Sequence, residues 1–84
     1  MVKGEGEIVF YATTWCPDCR RSQRLLERQG IAYRWVDIDQ DTLARAFVEE
    51  TNRGFCSVPT IVFPDGAILV EPSDRELARK ACPE

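Results

Sequence analysis

Phe10-Tyr11-Ala12-Thr13-Thr14-Trp15-Cys16-Pro17-Asp18-Cys19 is the stretch that decides the fold. A β-prone run, Ile8-Val9-Phe10-Tyr11, leads into a short loop, two cysteines flank a Pro-Asp pair, and a polar, Arg-rich helical pattern begins at once. Cys-x-x-Cys at a strand-to-helix junction is a redox signature, because both thiols then fall on the first helical turn, close enough to bridge. Unpaired backbone N–H groups and the helix dipole favour a thiolate at the first of the two positions, and the thiolate is the nucleophile. Pro17 suits the first helical residue, where its missing N–H would have no partner in any case. Cys16 is accordingly read as the exposed, attacking thiol, and Cys19, one turn inward, as the resolving thiol.

Downstream, Cys19, Ser22, Leu25 and Leu26 recur at helical spacing between Pro17 and Gln29, and Gly30 supplies a stop. Ile31 to Ile38 reads as a second strand. Asp39, Gln40 and Asp41 offer N-terminal capping for a second helix set out by Leu43, Ala46, Phe47 and Glu50, ending before Gly54. A strand–helix–strand unit of this kind places its strands parallel with a right-handed crossover. Thr60 to Phe63 and Ala67 to Val70 then read as a hairpin about Pro64-Asp65-Gly66. Ser73-Asp74-Arg75-Glu76 has capping-box spacing and opens a last helix, on which Leu77, Ala78, Ala81 and Cys82 share a face.

Eighty-four residues make a single domain over 1–84, with its core expected over about 8–82. The 44% hydrophobic content suffices for one core, and 30% charged residues suit a soluble surface. A net charge of −3 without a polybasic run argues against a nucleic-acid partner. The first seven residues lack an apolar signal-like region and no apolar run reaches membrane-spanning length, so no membrane partner and a cytoplasmic location are expected. Four cysteines in so short a chain could suggest a secreted disulfide scaffold, but their clustering fits a transient redox disulfide better.

Trp15-Cys16-Pro17-Asp18-Cys19 after a strand, followed by Val58-Pro59-Thr60, resembles the thioredoxin superfamily, and the size is closer to its glutaredoxin branch. The segment from Ser57 through Gly66 to Ser73 looks most like mycoredoxins, the actinobacterial glutaredoxins, and the resemblance spans about residues 8–80. It implies an α/β, thioredoxin-like fold in its glutaredoxin form, β-α-β-α-β-β-α, with a four-stranded mixed sheet. It also implies a cis Val58–Pro59 bond facing the active disulfide, with the Val58 backbone left to pair with substrate. Trp15, Pro17, Val58, Pro59, Ser73 and Asp74 are the substrate-binding residues it implies.

Several residues carry a plainer reading beside the functional one. Zinc takes about four ligands, usually as two close pairs, whereas here histidine is absent and Cys56 and Cys82 stand alone. A bridging iron–sulfur cluster, known in some glutaredoxins, is disfavoured by the stiffness of Pro17. Asp18 suits the helix dipole, yet a carboxylate beside Cys16 opposes a thiolate, and Arg20 and Arg21 stand by to offset it. With Arg24 and Arg28 they form either a solvated face or a cationic rim for an acidic partner or a thiol's carboxylates. Cys56, two residues before Val58, is either a packed small residue or an accessory redox thiol near the site. Cys82 reads as core, Trp15 and Tyr11 as core or active-site wall, and Trp35 as strand packing.

Glutathione-using glutaredoxins commonly carry Lys three residues before the nucleophile, a basic residue before the Val-Pro pair, and Gly-Gly-x-Asp after the fourth strand. This chain has Thr13, Cys56 and Glu71-Pro72-Ser73-Asp74 there, which weakens a glutathione assignment and suits mycothiol. Mycoredoxins usually have Gly-Tyr where Pro17-Asp18 stands. The expected activity is dithiol–disulfide exchange on disulfide-bearing proteins or mixed disulfides by a monomer with no bound cofactor. Mycothiol, glutathione or a flavoprotein reductase supplies the electrons. The alternatives are a thioredoxin-like donor to specific protein partners and an iron–sulfur or metal carrier.

Overall fold

Ile8, Phe10 and Ala12 are buried along β1 (Ile8–Ala12), and the intervening Val9 and Tyr11 are half-buried. A strand covered on both faces needs material on each side of its sheet, and the computed structural model, which describes residues 7–81, supplies it. Among those residues β1 is followed by α1 (Pro17–Arg28), β2 (Tyr33–Asp37), α2 (Thr42–Thr51), β3 (Thr60–Val62), β4 (Ile68–Val70) and α3 (Asp74–Ala81). The sheet order is β2-β1-β3-β4. β1 pairs parallel with β2, Phe10 opposite Trp35, and antiparallel with β3, Tyr11 opposite Thr60 and Phe10 opposite Ile61. β3 and β4 form the expected antiparallel hairpin. The fold is therefore the α/β, thioredoxin-like one, with a mixed four-stranded sheet.

Strand alternation assigns the two faces. Ile8, Phe10, Ala12 and Ile61 point to the larger core, where Leu25 and Leu26 of α1 and Leu77 of α3 meet them. Phe10, wholly buried, stacks on Trp35 at 5.2 Å between ring centroids and lies 5.7 Å from the Tyr33 ring, so Trp35 packs on its strand neighbours as expected. Burying a side chain of this kind is worth about 1.5–3 kcal/mol. The opposite face carries a smaller cluster of Ile38, Ala44 and Val48, with Tyr11, Val36, Phe47, Cys56 and Val58 against it.

Local chemistry fixes the helix ends. After α1 the Gly30 N–H reaches Glu27 O at 3.1 Å and the Ile31 N–H reaches Leu26 O at 2.9 Å, a Schellman closure. It needs a left-handed residue, which Gly30 supplies at φ +70°. The Asp41 carboxylate caps α2 by accepting from the Ala44 N–H at 3.0 Å. Ser73 and Glu76 complete the anticipated capping box: Ser73 Oγ accepts from the Glu76 N–H at 3.1 Å, and Glu76 Oε1 from the Ser73 N–H at 2.9 Å.

Two expectations need correction. The buried face of α2 is Ala44 and Val48 with Phe47 at its edge, not Leu43, Ala46 and Glu50; Leu43 is 83% exposed. The second strand is shorter than Ile31 to Ile38, because the Schellman closure occupies Ile31 and the chain turns after Asp37. Ile38 still donates its N–H to Ala12 O at 3.0 Å and is buried. Cys82, expected in the core, lies outside the described residues.

Candidate active site

The loop after β1 and the loop before β3 must meet, because antiparallel pairing of Tyr11 with Thr60 brings the end of one strand to the start of the other. At that junction Cys16 is the N-cap of α1, with φ −86° and ψ 116°, and Pro17 occupies the first helical turn. Its sulfur does what a capping oxygen normally does, accepting the Cys19 N–H at 3.1 Å. From the other loop, the Val58 carbonyl lies 3.9 Å from Cys16 Sγ and accepts from the thiol. The next bond, Val58–Pro59, is cis. Pro59 is buried, and its carbonyl accepts from the Glu71 N–H at 2.8 Å, tying the loop to the end of β4.

Cys16 is only 6% exposed, so the expectation of an exposed thiol needs correction. A sulfur turned back onto its own helix terminus and against a facing carbonyl cannot also project into solvent. Cys19 is fully buried, as its inward position requires, and both thiols are free. Burial pushes the Cys19 thiol up to about 12, helped by its hydrogen bond with Cys16 and by the charges of Cys16 and Asp18. A backbone hydrogen bond from Thr13 opposes the rise without cancelling it. One thiol thus contacts the helix terminus and the other is held protonated beneath it.

Trp15 is 69% exposed, so it is wall rather than core, and its Nε1–H donates to Asp39 Oδ2 at 3.0 Å. Tyr11 belongs to the opposite face, 5.0 Å from the Phe47 ring. Ser73 is engaged in its capping box, and Asp74, the first residue of α3, accepts from Arg21 Nε at 3.1 Å. Arg21 Nη1 also reaches Asp18 Oδ1 at 3.2 Å. Arg20 does not answer Asp18 in this arrangement; its Nε and Nη2 donate to Thr14 O at 3.3 and 2.9 Å. Arg20, Arg21, Arg24 and Arg28 are all exposed. Cys56 is half-buried in the α2-side cluster with Phe47 and Val58.

Sequence reasoning missed the Arg21 bridge, since Asp18 and Asp74 are brought together only by the packing of α1 against α3. It also missed the link from Trp15 to Asp39. The buried Thr13 has a hydroxyl without a hydrogen-bond partner, as does Ser22 one helical turn beyond Cys19. A concavity of about 690 Å³ on the α2 side, lined by Tyr11, Trp35, Val36, Leu43 and Phe47 among others, contains neither site cysteine. Among the described residues no group of three or more His, Cys, Asp or Glu side chains is placed to hold a metal ion. No helix among them is long and apolar enough to cross a membrane.

The sequence model of the glutaredoxin family matches residues 8–68. A Mycobacterium tuberculosis protein named as a glutaredoxin is 40% identical over 73 residues, covering 87% of each chain. Mycoredoxin 1 of Corynebacterium glutamicum is 37% identical over 73 residues, covering 87% of this chain and 90% of that protein. The fold is shared with the glutaredoxin of Archaeoglobus fulgidus, whose crystal structure superposes with a TM-score of 0.73 at 24% identity over 96% of this chain and 90% of that one.

Proposed function

The chain belongs to the glutaredoxin family, a family of thiol–disulfide oxidoreductases, and from that premise we propose a dithiol mechanism run by Cys16-Pro17-Asp18-Cys19. The observation that carries it is the division of labour between the two sulfurs. Cys16 is hydrogen-bonded at the helix terminus, and Cys19 is buried with its thiol pushed up to about 12. At neutral pH Cys19 keeps its proton, so Cys16 attacks first.

The Cys16 thiolate attacks a substrate disulfide, forms a mixed disulfide, and expels the other substrate sulfur as a thiolate. Cys16 then carries neither a negative charge nor a thiol proton, which relieves two of the causes that keep Cys19 protonated. Cys19 attacks the Cys16 sulfur and releases the second substrate thiol, which takes up the proton that Cys19 gives to solvent. The product is a Cys16–Cys19 disulfide, and the two electrons have passed to the substrate. Two low-molecular-weight thiols, or a flavoprotein reductase, return them. Trp15, Pro17 and Val58 form the surface against which a substrate disulfide lies, the buried Pro59 fixes the Val58 backbone, and Ser73 and Asp74 stand at the α3 side.

The co-substrate is read as mycothiol in preference to glutathione. Support comes from the two positions where a basic group would meet a glutathione carboxylate. Thr13 there is a buried, uncharged side chain, and Cys56 is packed against the α2-side cluster. The protein acts as a monomer on disulfide-bearing proteins in the cytoplasm. A coupled turnover assay on a mixed-disulfide substrate, run in parallel with mycothiol, glutathione and thioredoxin reductase, tests this reading. Mycothiol-dependent turnover is expected; turnover with thioredoxin reductase alone overturns the choice of electron donor.

A further inference from the structure

Arg21 stands two residues past Cys19 on α1, and its guanidinium is shared between two carboxylates. Nη1 reaches Asp18 at 3.2 Å and Nε reaches Asp74 at 3.1 Å. Asp18 lies between the two cysteines, one residue before Cys19 on the first turn of α1, and its charge contributes to the rise at Cys19. Arg20, as close in sequence, is committed to the Thr14 carbonyl through two donors. Among the described residues Arg21 is therefore the cation that pairs with Asp18. Asp74 reaches it from a different element, and the Ser73–Glu76 capping box fixes the start of that element.

We propose that Arg21 is a positioning residue for the nucleophile: held from α3 by Asp74, it offsets the Asp18 charge that otherwise opposes a thiolate at Cys16. This rests on Cys16 being the attacking thiol. A like charge disfavours the charged form of a neighbouring acid, and an opposite charge placed on that neighbour removes the penalty. A planar guanidinium bridges two carboxylates at once, whereas an ammonium is a single point charge. The charged groups at the Cys16 end of α1 and the start of α3 are Asp18, Arg20 and Arg21, Asp39 through its bond to Trp15, and Asp74, Arg75 and Glu76, the last engaged with the Ser73 N–H; Arg24, Glu27 and Arg28 lie further along α1, and Arg79 and Lys80 at the far end of α3. The Pro59 loop contributes a carbonyl. Two carboxylates and one guanidinium at the α1–α3 junction leave an excess of one negative charge, which loss of Arg21 raises to two.

The test is alkylation of Cys16 by iodoacetamide as a function of pH, with the labelled peptide identified by mass, in the reduced full chain. A unit charge acting largely through solvent changes a thiolate population by about threefold. Arg21→Gln should move the alkylation midpoint upward and slow labelling at pH 7 about threefold. Asp18→Asn should speed it, and the double variant should return to the wild-type rate. Arg21→Lys keeps the charge and should keep most of the rate, which guards against a folding defect in Arg21→Gln. An unchanged midpoint in Arg21→Gln, or a double variant as slow as Arg21→Gln alone, overturns the proposal. The second result would mean that Arg21 acts through the scaffold and not through charge. Labelling needs no disulfide substrate, so a label on Cys16 with a rate indifferent to Arg21 defeats this inference alone. A label that maps to another cysteine defeats the assignment of Cys16 as well.

Discussion

Replacing Cys19 with serine should change how stability depends on pH as well as the chemistry. The Cys19 thiol is pushed up to about 12 by burial in the folded protein, from the ordinary value of 9.0 that an exposed thiol has in the unfolded chain. Between those limits the unfolded state releases a proton that the folded state retains, so stability falls as pH rises. The contribution is complete below about pH 9 and is lost toward pH 12, at up to about 1.4 kcal/mol per pH unit. From pH 8 to pH 10 the loss is about 1.4 kcal/mol, a sizeable fraction of what holds a domain of this size together. The assay is guanidinium unfolding at pH 8, 9 and 10 under a non-thiol reductant, followed by tryptophan fluorescence. Trp35, stacked on Phe10, reports the core. The other ionisable side chains are common to both proteins, so the difference in slope between wild type and Cys19→Ser reports the buried thiol. Equal slopes in the two proteins would refute the claim that burial holds Cys19 protonated, and with it the reason Cys16 attacks first.

Cys16→Ser should abolish disulfide reduction, while Cys19→Ser should trap mixed disulfides on protein substrates and keep turnover on small ones that an external thiol resolves; equal, total loss in both contradicts the assigned roles. Ser73→Ala removes the cap of α3 and should cost about 1 kcal/mol, read as a shift in the guanidinium midpoint at unchanged slope. Cys56→Ala should cost about 1 kcal/mol through packing against the α2-side cluster and leave turnover with the small thiol intact, and a severalfold loss of turnover would make it an accessory thiol instead.

The element order was readable because its signals are local. Cys16-Pro17 at a helix start, Gly30 at a helix end, Ser73 with Glu76, and Pro64-Asp65-Gly66 between two apolar runs each carry their own stereochemistry. The buried face of α2 was not, because two apolar stripes run side by side on it. Leu43 with Phe47, and Ala44 with Val48, have the same i,i+4 spacing, and the docking of the helix on the sheet selects the second pair. Cys16 was expected to be exposed because nucleophiles need access, but the capping role takes its sulfur inward. The partner of Asp18 was open for a similar reason. Arg20 and Arg21 are equivalent along the chain and differ only in that one looks toward the Thr14 carbonyl and the other toward α3.

The place of β3 in the sheet has a consequence for how the protein comes into being. β3 fills the slot between β1 and β4, and it is the strand whose leading residues, Val58 and Pro59, close the site over Cys16. A chain emerging from the ribosome makes both site thiols and the whole β1-α1-β2-α2 half before this strand exists. Until then one edge of β1 has no partner and the sulfurs lack their facing carbonyl, so the nascent half carries the thiols without the enclosure that gives them different tasks. The enclosure around the two sulfurs is complete only when β3 pairs with β1. Within this domain the redox site is completed late in synthesis, although its cysteines belong to the first helix.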